Sequence, residues 1–222
     1  MNPIVQKSGL SVAGLLVAGG CLTVPAVAAE AAPAATAPVG SGYVGRDGHP
    51  GRADRRAERV LGVEYQAQPN FYYCGPAATR IALSALGRPL PQDEVARRLG
   101  TTEAGTDSAL DITRVLNELT GGKYRTTEIP GPVAKPEQVE RLRSDAVAAL
   151  DQGRPVVANI KGTAVDTAGS PHSYEGGHYL TLVGYRDGGA LLRVADPAAP
   201  EGEYWMTLEK VANWVAERGY SS

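Results

Sequence analysis

A single cysteine, Cys74, stands in the run Gln68-Pro69-Asn70-Phe71-Tyr72-Tyr73-Cys74-Gly75-Pro76-Ala77-Ala78. The Gly-Pro that follows it suits the first turn of a helix. At that position unpaired backbone N–H groups and the helix dipole favour the thiolate over the thiol. The thiolate is the reactive species in nucleophilic catalysis, so Cys74 is the candidate nucleophile. The plainer reading, a buried cysteine behaving as a small hydrophobe, loses weight because suitable partners follow downstream.

His178 opens the run HYLTLVGY behind Gly176-Gly177. At a strand start an imidazole can point across a cleft, and this makes His178 the candidate general base. His172, in a stretch rich in Gly, Ser and Thr, competes for the role from what reads as a looser loop. Asp196 ends the run LLRVAD and precedes Pro197. If the strands from 178 and 190 pair through the turn at 187–189, residues 178 and 196 lie at one edge of the sheet. A carboxylate there can fix the tautomer and orientation of the imidazole, although an Asp-Pro turn is an equally ordinary use of the residue. Gln68 can donate a side-chain amide to a developing oxyanion beside the Cys74 N–H. A zinc site built on His172, His178 and Asp196 lacks recommending spacing. The sequence carries no Gly-rich phosphate loop, so no cofactor is expected.

The elements that must position these residues divide in order along the chain. Helices are expected over 75–86, 91–99, 108–119 (capped by Asp107) and 136–150. Each carries an apolar face and most have Gly just beyond the end. A short strand is expected over 61–65. Strands then follow over 155–160, 178–185, 190–195 and 204–207, with a hairpin turn at Asp187-Gly188-Gly189. A closing helix over 208–218 follows a Thr207 cap. Residues 161–177 read as a loop bordering the cleft. Helices first and antiparallel strands second argue an α+β fold rather than a doubly wound one.

The chain has 222 residues and a formal net charge of -2. That length suits one domain, and the charge leaves no basic footprint, so nucleic acid is not an expected partner. Residues 10–24 are apolar or small, behind Lys7 and ahead of Pro25-Ala26-Val27-Ala28. The pattern reads as a secretory signal peptide over 1–28, which implies an extracellular protein without stable membrane association after cleavage. Cys21 faintly resembles a lipoprotein acceptor. Ala18 stands where a larger apolar residue is expected, and the apolar run continues past the cysteine, so lipidation is disfavoured. Residues 29–60 read as a flexible linker or pro-segment and 61–222 as the catalytic domain.

The Q-x5-C-G-P block, the G-H-Y ahead of a strand and the A-D-P after the next one resemble, in that order, cysteine peptidase family thirty-nine. The resemblance runs from about Val60 to the C-terminus. It implies a papain-like α+β fold with Cys74 at a helix start in an N-terminal helical lobe. His178 and Asp196 then belong to a C-terminal antiparallel sheet lobe. It also implies Cys74 as nucleophile, His178 as base, Asp196 as orienting carboxylate and Gln68 as oxyanion donor. The expected function is that of a secreted cysteine hydrolase acting on a peptide or protein through an acyl-enzyme. Founding members of the family sit on an ATP-driven transporter and cut after paired glycines, and that specificity is not carried over. A transglutaminase-type acyltransferase using the same residues, and a non-catalytic binding or inhibitor module, are the alternatives. The substrate and the oligomeric state are not readable.

Overall fold

The computed structural model describes residues 58–222. The expected signal peptide, Cys21 and all but the end of the expected linker lie outside the described residues. The described chain runs β1 (Arg59–Val60), α1 (Cys74–Ala85), α2 (Gln92–Leu99), α3 (Ala109–Thr120), β2 (Thr126–Glu128), α4 (Pro136–Asp151), β3 (Val156–Val165), β4 (Pro171–Arg186), β5 (Leu191–Ala195), β6 (Glu203–Thr207), α5 (Leu208–Val215) and β7 (Gly219–Ser221). The strands form one antiparallel sheet in the order β2-β7-β3-β4-β5-β6, with β1 beside β4. The α+β reading holds.

Strand alternation sends neighbouring residues to opposite faces of this sheet. Val157 and Tyr179 pack with Cys74, Ala78, Leu83 and the apolar faces of α2 and α3. Ala158, Ile160, Leu180 and Leu182 pack against α4 and α5. Helix α1 meets the sheet through Ala77, Ala78, Ile81 and Ala82, all fully buried. The Thr181 hydroxyl donates to the Ala78 carbonyl at 2.8 Å, tying α1 to β4. Among the described residues no helix is long and apolar enough to cross a membrane.

Several boundaries differ from expectation for local reasons. The first strand is Arg59–Val60 rather than 61–65; beyond Leu61, which donates to the Val183 carbonyl, the chain leaves the sheet. Ser108, not Asp107, caps α3, its hydroxyl accepting from the Asp111 N–H. Helix α5 stops at Val215, because Glu217 takes a left-handed backbone (φ 62°) and turns the chain into β7. That strand and β2 escaped the sequence reading; each is only three residues long. The expected hairpin turn at 187–189 joins β4 to β5 with left-handed backbone at Asp187 (φ 50°), Gly188 (φ 63°) and Gly189 (φ 92°).

The largest difference concerns residues 161–177. Only residues 166–170 form a connection: β3 and β4 extend through the rest as a long hairpin whose pairing reaches Val165 and Pro171. The register slips between the Ile160/His178 and Gly162/Tyr174 pairs, where Lys161 faces Glu175, Gly176 and Gly177. Gly177 has φ 94°, a conformation that costs glycine little and other residues more. His178 therefore sits inside a strand, just after a bulge. Bulges recur beside active sites, where they re-aim a side chain.

Candidate active site

Cys74 is the first residue of α1 and is 8% exposed. Its approach to the sheet depends on Gly75. A Cβ at Gly75 would lie 2.4 Å from the Thr106 Oγ1, so only glycine lets the helix start close on that loop. The first N–H groups of a helix have no intrahelical acceptor, so they are free to serve the thiol or a bound oxyanion. The wall around the thiol is formed by Phe71, Thr106, Asn159, Tyr174 and His178, and the cavity measures ≈ 500 Å³.

His178 is 4% exposed and lies against Cys74 across the junction of α1 and β4. Its Nε2 is 2.7 Å from Asp196 Oδ1. That leaves Nδ1 as the ring nitrogen that faces the thiol. Asp196 is fully buried, and every lone-pair direction it uses has a donor. Oδ1 also accepts from the Ala198 N–H at 3.0 Å. Oδ2 accepts from the Tyr174 hydroxyl at 2.9 Å and the Tyr204 hydroxyl at 2.8 Å. A buried carboxylate without such partners would be strongly disfavoured. Tyr174 has a second role: its ring stacks on His178 at 4.0 Å between centroids and holds the imidazole plane.

The electrostatics follow from this packing. Burial pushes the Cys74 thiol up, but the hydrogen bond and charge of His178, with the backbone amides of Tyr179 and Gly75, bring it below its ordinary value. Burial pushes His178 down. Its bonds to Asp196 and Cys74 outweigh burial and raise it to about 9. Burial likewise raises Asp196, and the His178 bond, the Ala198 amide and the Tyr204 hydroxyl reverse that, leaving it below the usual carboxylate value. All three directions favour the charged forms, thiolate, imidazolium and carboxylate, over the neutral ones.

The structure brings together three of the four sequence candidates. Gln68 is set apart. Its backbone N–H donates to the Pro197 carbonyl at 3.0 Å, docking its segment beside Asp196. Its side-chain Nε2 donates to the Asn70 carbonyl at 2.7 Å, and its Oε1 is buried without a hydrogen-bond partner. His172 is neither loose nor beside the thiol. It lies on β4, buried and stacked on Tyr204 at 3.8 Å, with Nε2 3.2 Å from Asp166 Oδ2. The set His172, His178 and Asp196 is thus divided between two separate His–Asp pairs.

Two functional contacts were missed from sequence: the hydroxyls of Tyr174 and Tyr204 on Asp196. Neither tyrosine stands out in the sequence as a partner of Asp196. A signal for Tyr174 was present. Along Pro171–Glu175 the buried positions are His172 and, in part, Tyr174, while Ser173 and Glu175 face outward, a strand alternation within the supposed loop.

A model of the Peptidase_C39 like family matches residues 60–222. Among solved structures, a protein described as a C39-like peptidase from Bacillus anthracis is 14% identical. The match covers 74% of this chain and 96% of that one, with a TM-score of 0.52. The peptidase domain of Streptococcus ComA, a bi-functional ABC transporter, is 16% identical over 74% of this chain and 96% of that one, with a TM-score of 0.48. Xylellain, a cysteine protease from Xylella fastidiosa, is 12% identical over 74% and 84%, with a TM-score of 0.45. No curated protein matches the chain. At such identities the first of these likenesses speaks to the fold.

Proposed function

Since this chain belongs to the peptidase C39-like family, and so among the cysteine peptidases, we propose that it hydrolyses a peptide bond through the Cys74–His178–Asp196 line. The observation that carries the reading is the thiol at a helix start, set against an imidazole that a buried carboxylate holds from its far side.

In this reading the Cys74 thiolate attacks the substrate carbonyl carbon. The oxyanion forms beside the Cys74 N–H, with the amide of Gln68 as a second donor once its bond to Asn70 is exchanged. The His178 imidazolium gives its Nδ1 proton to the leaving amine, and a thioester remains. The neutral imidazole then takes a proton from water, hydroxide attacks the thioester, and the acid product leaves with the thiolate restored. Asp196 stays ionised throughout and keeps Nε2–H pointed at itself. Residues 1–28 direct export, and the substrate is met outside the cell.

The test is the rate of Cys74 alkylation by iodoacetamide from pH 4 to 10, read by intact mass. The expected inflection lies well below the ~8.5 of a free cysteine. An inflection at that value, or a thiol that does not react, sinks the nucleophile assignment.

A further inference from the structure

The cavity at Cys74 continues into a second one of ≈ 280 Å³ reaching Leu110, Ile129 and Pro130. The two share three wall residues, Asp107, Asn159 and Arg218, so they form one groove leading away from the thiol. Arg218 stands at the junction. Its Nε is buried with no hydrogen-bond partner. Its guanidinium joins none of the ion pairs found among the described residues, whereas Arg97, Arg98 and Arg193 each lie against a carboxylate. The close fit is built in: a Cβ at Gly177 would sit 3.6 Å from Arg218 Nη2, so the guanidinium nests under the glycine that precedes His178.

From this placement we propose that Arg218 anchors a carboxylate of the peptide substrate, a few residues from the scissile bond. A planar guanidinium offers a fork of N–H donors that matches a carboxylate in two parallel bonds. Asp107 and Glu103 line the first cavity, and Asp107, Glu128 and Glu217 the second. They make the rest of the groove acidic, so a carboxylate is accepted only in direct contact with Arg218. Removing the guanidinium leaves a groove that repels acidic peptides and attracts basic ones. The carboxylate comes from an acidic side chain or from a free C-terminus, and the two are separable by experiment.

This inference rests on the peptidase reading, so its test uses binding as well as turnover. The probes are acetylated, amidated positional-scanning hexapeptide mixtures with one position fixed as Glu, Gln or Lys, plus the Gln set with a free C-terminus. Binding is measured on Cys74→Ala protein and cleavage on the wild type. A Glu set, or the free-C-terminus set, is expected to bind about tenfold or more tighter than the amidated Gln set, as a charge-assisted hydrogen bond implies. Whichever set gains identifies the carboxylate source. Arg218→Gln is expected to abolish that gain and favour Lys sets; Arg218→Lys keeps part of it. Equal binding of acidic and neutral sets by protein with Arg218 intact, or a preference that survives Arg218→Gln in a folded variant, overturns the anchor. A carboxylate preference in binding without any cleavage by the wild type upholds the anchor and overturns the peptidase reading instead.

Discussion

The sheet lobe contains two His–Asp pairs built from the same parts. His178 meets Asp196 at 2.7 Å and His172 meets Asp166 at 3.2 Å. Each imidazole is buried on β4, and each lies flat on a tyrosine ring, Tyr174 for one and Tyr204 for the other. The difference is what surrounds the pair. The Asp196 carboxylate takes its remaining bonds from two tyrosine hydroxyls and one amide, and its histidine turns the free ring nitrogen toward a thiol. Asp166 takes its remaining bonds from the Ala168 and Ser170 amides of the turn joining β3 to β4, and so fastens that hairpin. A buried His–Asp pair stacked on a tyrosine is thus a structural unit first. It is placed for chemistry only where a thiol from another element meets it.

The strongest break between the pairs comes from removing each imidazole in turn. His178→Ala is expected to lower kcat by about 10²–10⁴-fold, the usual contribution of a positioned acid–base group. His172→Phe keeps the stack on Tyr204 and is expected to leave kcat near the wild-type value. Equal losses in both variants, measured on one peptide substrate, contradict the assignment of separate roles.

A second comparison exchanges the carboxylates. Asp196→Asn is expected to lower kcat by about 10²-fold or more, since an amide holds the wrong tautomer. It should also move the alkaline limb of the pH profile. The folded-state value of His178, about 9, lies above its ordinary 6.5. The imidazolium contribution to stability is therefore complete below pH 6.5 and is lost as pH rises through about 9. The ion pair with the thiolate ends over the same window, so activity in the wild type falls near pH 9. Without Asp196 the limb moves down toward the ordinary value. Asp196 itself works with the opposite sign: its contribution is present above the usual carboxylate range and fades as acid protonates it. Asp166→Asn leaves the alkaline limb of kcat where it is.

The comparison also marks what the amino-acid order reveals. Cys74, His178 and Asp196 were legible because each sits against a local signal: Gly-Pro after the thiol, Gly-Gly before the imidazole, Pro after the carboxylate. The nearness of residues 178 and 196 across a hairpin followed from strand arithmetic: the β4/β5 pairing runs to Thr181/Ala195, just short of both residues. The extension of β4 back to Pro171 was hidden by its small and polar residues, which mimic loop composition. With it went the second pair and Tyr174. Gln68 was placed by its distance in sequence from Cys74, and sequence distance does not fix where a side-chain amide points. Here the Asn70 carbonyl, two residues away, captures it.

The smallest effect, and the finest test of the contrast, leaves both His–Asp pairs untouched. Gly75→Ala adds a methyl group where Thr106 Oγ1 lies 2.4 Å and Thr106 Cβ 2.8 Å from the new atom. Thr106 cannot swing freely, because its hydroxyl is bonded to that of Thr101 at 2.7 Å. Either the Thr106 loop or the start of α1 must shift, at a cost of about 1–3 kcal/mol for an overpacked site. Thr106 also lines the groove, and its carbonyl accepts from the Tyr179 hydroxyl at 3.3 Å. The shift therefore moves the thiol relative to an imidazole that Asp196 still holds. A roughly tenfold fall in kcat is expected, less than the ~10²-fold that a 1 Å misplacement can cause. The alkaline limb near pH 9 should move little, since the Asp196 bond that raises His178 is intact. A limb that collapses with kcat in this variant would mean that Cys74, and not the His–Asp pair, sets the charge of the imidazole.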